Sequence, residues 1–466
     1  MQMFARAGNL RYNRLKSLGG EKMREKVFRD PVHNFIRIDD PLILRLVDTR
    51  EFQRLRRIKQ LGVANTVFHT AEHSRFSHSL GVYEIARQIA KHMEQFTQPS
   101  DELGVGVWDP SERQVLLSAA LLHDLGHGPY SHTFEHIFKT NHEKYTQDII
   151  LSPETEVHQV LAATNPELPN KVAQVIAKTY PNKQVVALIS SQIDADRMDY
   201  LLRDAYYSGA TYGTFDLARI IHLMRPVQAG IAFEQKGMTT VEDYIVSRYQ
   251  MYEQVYFHPV SRGIEVLLTH LLERATQLYR GEVSSQFAAP NFITPDLIPL
   301  FEGQITLSQY LDLDDASILE NINLWRHAHD QVLSDLAKRF LDRQPLKSLE
   351  ITDDSRSHLP EIRQIIEAAG FDVRYYTAEN DSFDTAYDLY HPNNKNAKTQ
   401  IEILHPDGHL VELSMQSRLV QALRGKTYGN ARYFFPREML QIQTTDDLMT
   451  PIYQEFQQHI KNGQIV

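Results

Sequence analysis

"LLHDLGHGPYSH", residues 121–132, places three histidines and an aspartate within a short stretch at the end of an apolar run. The segment before it, "SERQVLLSAALL", opens with Ser111 and sets Val115, Leu116, Ala119, Ala120 and Leu122 at the spacing of a buried helix. That helix delivers His123 and Asp124 side by side, and Gly126, Gly128 and Pro129 then turn the chain sharply. A lone histidine is more often a satisfied core residue than a ligand. Adjacent His-Asp at the end of an apolar helix fits metal chemistry better, provided that neighbouring segments supply further ligands.

They do. Upstream, "AEHSRFSHS" offers His73 and His78 with Arg75 between them, and downstream "SSQIDADRMDYLLRDA" offers Asp194, Asp196, Asp199 and Asp204. Asp196 and Tyr200 are four apart and share a helix face. Met198, Leu201 and Leu202 make that segment partly buried, where carboxylates require partners. His78, His123, Asp124 and Asp196 together form a spaced H…HD…D set. Two neutral imidazoles and two carboxylates suit a borderline divalent ion such as Mn, Fe, Zn, Co or Ni, with positions left open for water and a phosphate oxygen.

Bulk composition narrows the remaining choices. The chain has 466 residues, 42% of them apolar and 23% charged, an ordinary globular balance with two or three domains expected. It contains no cysteine, which excludes disulfides, thiolate nucleophiles and Cys-ligated zinc, and fits a reducing cytoplasm. A net charge of −10 argues against a general nucleic-acid coat, so a bound triphosphate would need a local basic patch. No run approaches the apolar length of a membrane span. Residues 1–23 are basic without an apolar stretch and read as an arm or artefact before a start at Met23.

The expected fold is mostly α, a helical core over residues 24–284 with an appended α/β region over 285–466. Residues 24–39 read as an extended element, followed by a helical pattern from Pro41 through "RLRRIKQL" and a helix from about Ser79 to Met93. Helical patterns continue through 142–205 and 240–280. Beyond 285, Pro and polar breakers alternate with helices and short strands, "DGHLVELSMQSRLVQAL" reads as turn, strand, helix, and "HPNNKNAKTQ" (391–400) as a polar loop.

"FRDPVHNFIRI", "FQRLRRIKQLG", "SRFSHSLGV", "LLHDLGHGPYSH", "DADRMDYLLRDA" and "YFHP" occur in the order found in HD-domain deoxynucleoside triphosphate triphosphohydrolases. The chain resembles bacterial relatives of the vertebrate SAM- and HD-domain enzyme, over a little more than half its length and without the SAM domain. The resemblance implies a helical HD fold and hydrolysis of a deoxynucleoside triphosphate at the α-phosphorus, giving deoxynucleoside and tripolyphosphate. It implies a divalent metal on His78, His123, Asp124 and Asp196, with Mg accompanying the nucleotide. His127 and His142 match histidines beside the α-phosphate, Glu135 matches the carboxylate that orients His142, and His142 is favoured over His127 as proton donor. Arg75, Arg197, Tyr200, His132 and Arg248 match the phosphate contacts; for Arg197 this role is favoured over a salt bridge to a neighbouring Asp. Tyr256, with Gln60 and Leu61, would exclude a 2′-hydroxyl. The role of His258 in "YFHP" stays open.

The same resemblance implies a second, allosteric site that reads guanine. Asp48 can accept the two adjacent N–H donors on guanine's Watson–Crick edge, and Arg56 can donate to O6 and N7. Gln53 joins them, with Lys26 and Val27 reaching the site from a neighbouring subunit of a homotetramer. On its own residues, "DTREFQRLRR" is equally a charged helix face. Arg29 departs from the family, which carries Asn there in the vertebrate enzymes, and this leaves GTP and dGTP both open as activator. Two other readings remain: an HD phosphodiesterase or nucleotidase on another phosphoester, and a nucleotide sensor that binds single-stranded nucleic acid through "RLRRIK" (54–59). The first lacks the H-D-x-x-E-D pattern of alarmone hydrolases, because Leu125-Gly126-His127-Gly128 follow Asp124.

Overall fold

The computed structural model describes residues 25–283, 292–380, 400–423, 431–441 and 449–465. The leader and all but the last residue of the 391–400 loop lie outside the described residues. The chain opens with an antiparallel hairpin, β1 (Lys26–Asp30) and β2 (Asn34–Ile38), which buries Ile36 and Ile38 and turns Val27, Phe35 and Arg37 outward. The helical pattern after Pro41 is broken into α1 (Pro41–Val47), α2 (Arg50–Arg54) and a 3₁₀ turn, Leu55–Arg57. Thr49 causes the break: its backbone is extended and its hydroxyl accepts from Phe52 N at 3.4 Å, starting a new helix.

Three helices carry the core. α3 (Arg75–Met93) begins one turn earlier than its apolar pattern suggests, because Ser74 is extended and bridges to Lys59, and His78 N reaches back to Ser74 O at 3.2 Å. α4 (Arg113–Leu122) is buried on every side from Val115 to Leu122, as its uniformly apolar sequence requires. α5 (His132–Phe138) and α6 (His142–Leu151) follow the HD turn. α7 (Ala195–Ser208) starts on Asp194, whose carboxylate accepts from Arg197 N at 2.7 Å, and ends at Gly209, with φ of 77°. α3 packs against both α4 and α7. α8 (Met238–Met251) leads through a π-helical turn at Tyr252–Tyr256 into α9 (Pro259–Arg280).

The rest of the chain is interleaved with this core. A hairpin of β3 (Met224–Val227) and β4 (Gly230–Glu234) interrupts the helices, and it takes on β7 (Glu402–Leu404) in parallel and β8 (Leu410–Glu412) beyond it. Ile401, Ile403, Leu413 and Val420 thereby enter the core of the first half. α9 in turn packs on α11 (Gln331–Leu341) in a second core, beside α10 (Asp315–Trp325). A five-stranded sheet, ordered β10-β11-β5-β9-β6, forms the remaining layer. Its strands are β5 (Lys347–Glu350), β6 (Ala378–Asn380), β9 (Arg432–Phe435), β10 (Ile460–Lys461) and β11 (Gln464–Ile465). The architecture is mostly α with an α/β C-terminal region. Among the described residues, no helix is long and apolar enough to cross a membrane.

Gly81 sits in the middle of α3, where glycine costs about 1 kcal/mol against alanine. A Cβ there would overlap the Asp199 carboxylate and the Arg203 guanidinium. Gly81→Ala therefore gains about 1 kcal/mol in helix propensity against an overpacking cost of about 2–3 kcal/mol, the upper part of the usual range, for a net destabilisation of about 1–2 kcal/mol. Urea unfolding of the variant should show this loss; an unchanged or raised midpoint would contradict it.

Candidate active site

α3, the end of α4 and the first turn of α7 bring four side chains to one point. His78 Nε2 lies 3.0 Å from Asp196 Oδ1 and 3.8 Å from Asp124 Oδ2, and His123 Nε2 lies 3.3 Å from Asp124 Oδ1 and 3.4 Å from Asp196 Oδ1. Each imidazole is oriented through its other nitrogen: His78 Nδ1 donates to Asp199 Oδ2 at 2.8 Å, and His123 Nδ1 donates to Ala120 O at 2.9 Å. That arrangement aims both Nε2 atoms at the two carboxylates. His123 Nε2 is buried and makes no hydrogen bond, an orphan that a metal ligand explains. These four side chains could hold one divalent ion, with His78, His123 and Asp196 converging most tightly. Asp124 is shared, since its Oδ2 also receives Arg75 Nη1 at 2.5 Å.

Asp199 is the residue that sequence reasoning left unassigned. It stands one turn after Asp196 and one before Arg203, so the shared helix face was a signal that could have found it. Its fully buried carboxylate takes His78, His33 Nε2 at 2.6 Å and Arg203 Nε at 2.8 Å, and Arg203 passes on to Asp30 at 2.9 Å. Nothing in the local pattern of "DPVHNF" marks His33.

The charges reinforce one another. Burial pulls the His78 imidazolium down, but hydrogen bonds to Asp196 and Asp199 prevail and raise it to about 10. Burial pushes Asp124 and Asp196 up, yet their histidine neighbours, and Arg75 at Asp124, hold both well below the usual carboxylate range. His127 is the opposite case: burial and Arg75 drive it well below an ordinary histidine, so its ring stays neutral. His127 stacks on His142 with centroids 4.0 Å apart, and His142 Nδ1 donates to Glu135 Oε1 at 2.8 Å.

The cluster opens into a cavity of about 940 Å³ whose wall includes Gln60, Leu61, Arg75, Asp124, His127, His142, Asp196, Tyr200 and Tyr256. Gln60 Oε1 is buried there without a hydrogen bond. Tyr256 is fixed by Asp204 Oδ2 at 2.7 Å, and Asp204 Oδ1 also takes His73 Nε2 at 2.7 Å, so His73 is a support and not a ligand of the cluster. The structure does not bring Arg197 or Arg248 to the cavity wall. Arg197 turns back to Asp194 at the start of its own helix, and buried Arg248 donates to Gln192 Oε1 at 2.6 Å. The side chain of His132 lies outside the described residues.

The five guanine-site candidates lie away from this cavity. Gln53 Oε1 accepts from Arg56 Nε at 2.8 Å, Arg56 stacks on Phe76 at 3.5 Å, and Asp48, Lys26 and Val27 are exposed. In "RLRRIK", Arg54 is buried, Arg56 and Arg57 are exposed, Arg57 pairs with Asp314, and Lys59 pairs with Glu72 at 2.8 Å.

Asp199→Asn weakens the support of His78 and should lower metal affinity about 10- to 100-fold. Equilibrium dialysis with Mn²⁺ reads this directly, and unchanged affinity would contradict the orienting role. His78 holds its proton up to about pH 10, so a divalent ion must displace it. Affinity should therefore rise with pH between 6 and 8, by about tenfold per unit for one proton released. Calorimetry in two buffers of different ionisation heat checks the release; identical heats would refute it.

An HD-domain model matches residues 75–204, and an HD-associated-region model matches residues 215–288. The chain is 48% identical to the uncharacterized protein YwfO of Bacillus subtilis (strain 168), across 90% of this chain and 94% of that protein. It is 31% identical to the deoxynucleoside triphosphate triphosphohydrolase SAMHD1 of Gallus gallus, over 56% of this chain and 47% of that protein, so it spans about half the latter's length. A phosphohydrolase from Bacteroides thetaiotaomicron superposes with a TM-score of 0.74 at 27% identity, covering 89% of this chain and all of its own. With all four residues of the His/Asp cluster inside the matched segment, the chain belongs to the HD-domain phosphohydrolases.

Proposed function

We propose that this phosphohydrolase cleaves deoxynucleoside triphosphates at the α-phosphorus, releasing deoxynucleoside and intact tripolyphosphate. The observation that carries the reading is the cavity itself. Its lining joins Asp124 and Asp196 of the His/Asp cluster, Arg75 and the His127–His142 pair with Gln60, Leu61 and the tyrosines Tyr200, Tyr252 and Tyr256. SAMHD1 relatives named for this activity match 66% and 56% of this chain.

His78, His123, Asp124 and Asp196 would hold Mn, Fe, Zn, Co or Ni, with Mg arriving on the nucleotide. The bound ion supplies Lewis acidity and charge neutralisation at the phosphoryl group. Arg75, held by Ser131 Oγ at 2.7 and 3.1 Å, presents a fixed cation to the phosphates. As water attacks the α-phosphorus, the bond to the 5′-oxygen breaks and that oxygen takes a proton. His142 is the donor, because Glu135 on its Nδ1 orients the ring, while His127 is kept neutral beside Arg75. Tyr256, tied to Asp204 and packed edge-on to Tyr200 and Tyr252, forms the wall against C2′ that rejects a ribonucleotide.

Guanine nucleotide, GTP or dGTP, is the proposed activator at Asp48, Gln53 and Arg56, with Lys26 and Val27 contributed by a neighbouring subunit of a homotetramer. The contact between Arg56 and Phe76 supports a link to catalysis, since Phe76 adjoins Arg75 at the start of α3. A coupling of about 1–3 kcal/mol would change activity from several-fold to a hundredfold.

Anion-exchange analysis of products from dATP and Mn²⁺ tests the reading. Equal deoxyadenosine and tripolyphosphate, formed faster with dGTP or GTP, is expected; monophosphate with pyrophosphate, or no turnover, would refute it. Tyr256→Ala should narrow the preference for dATP over ATP by about tenfold or more. An unchanged ratio of kcat/KM values would remove Tyr256 from sugar selection.

A further inference from the structure

The loop that carries His127 is held by residues from the other half of the chain. Tyr130 and Ser131 both have positive φ, 51° and 54°, an unusual conformation for two consecutive side-chain-bearing residues. Ser131 is the residue that holds Arg75, and His127 lies just before it. Gly126 must be glycine for the loop to lie against α6, where a Cβ would overlap the backbone of His142 and Thr146. Such a loop persists only if its surroundings over-determine it.

Residues 310–315 supply that constraint. Asp315, buried at the start of α10, accepts Tyr130 N at 2.9 Å on one oxygen and Lys59 N at 2.9 Å on the other. Lys59 adjoins Gln60, so a single carboxylate ties the 126–131 loop to the segment that brings Gln60 to the cavity lining. Tyr310 donates its hydroxyl to Gly126 O at 2.7 Å while its ring stacks on Tyr145 of α6, centroids 3.7 Å apart. Arg54 completes the clamp from the other direction, with Nε on Leu313 O at 2.9 Å and Nη1 on His127 O at 2.8 Å. All three side chains are buried, and none of them lines the cavity.

We propose that Tyr310 and Asp315, acting with Arg54, are positioning residues of the active site: they hold the 126–131 loop, and through it His127 and Arg75, in register with the metal cluster. The C-terminal half is then a working part of catalysis. This inference rests on the dNTP hydrolase reading for its kinetic consequence, but not for its structural one.

Tyr310→Phe and Asp315→Asn in the full chain test it. Both are near-isosteric, and Tyr310→Phe deletes only a hydroxyl, so it keeps the test open if Asp315→Asn fails to fold. Turnover of dATP is measured per bound Mn²⁺, alongside amide exchange of residues 126–131. The expected result is a kcat about 10- to 100-fold lower, with KM changed by about twofold or less, Mn²⁺ content retained and loop exchange accelerated. A merely structural role would lower the melting temperature and Mn²⁺ content while leaving kcat per bound metal intact, and that outcome overturns the proposal. Unchanged loop exchange in both variants also overturns it. If the parent protein does not hydrolyse dATP, the substrate reading fails, and loop exchange alone then decides the clamp.

Discussion

The Asp199 carboxylate is the interaction on which the site most depends. It is fully buried, and it survives there because His78, His33 and the Arg203 guanidinium saturate it, with Arg203 carried on to Asp30. One charge thus joins the N-terminal hairpin, α3 and α7. Burying such a group alone would be prohibitive, and removing one partner from a buried pair typically costs about 3–5 kcal/mol. The network also fixes which His78 nitrogen faces the cavity. Gly81 belongs to the same construction, because only a residue without Cβ lets Asp199 and Arg203 approach α3 so closely.

Around that centre, the molecule separates two kinds of cation. Arg54, Arg203 and Arg248 are spent on internal oxygens, Arg197 is turned back to Asp194, and Arg75 is the member of this set on the cavity wall. In a chain of net charge −10, Arg75 stands on the cavity wall beside the His/Asp cluster, and Arg262 is a further arginine in the lining. The basic run at 54–59 is divided among a buried arginine, two ion pairs and an aromatic contact, with Arg56 and Arg57 exposed.

What could be read from the chain follows how local the determining contacts are. The helical core was legible from apolar spacing, and His78, His123, Asp124 and Asp196 converge in the structure. The break at Thr49 was a local capping event hidden inside an unbroken apolar period. Arg197 was ambiguous because its i−3 aspartate and a phosphate make the same demand on a guanidinium, and sequence spacing cannot rank them. The parallel pairing of β4 with β7 and the contacts of Asp315 with Lys59 and Tyr130 join residues more than a hundred positions apart. Such contacts leave no periodic trace, so a division near residue 285 looks clean in composition while the two halves share cores in three dimensions.

The central claim is that the cavity directs water to the α-phosphorus. Turnover of dATP in water enriched in heavy oxygen, followed by mass spectrometry of both products, tests it most directly. The account predicts a single heavy oxygen in tripolyphosphate and none in deoxyadenosine. Label in the deoxyadenosine 5′-oxygen, or in monophosphate or pyrophosphate, would contradict it.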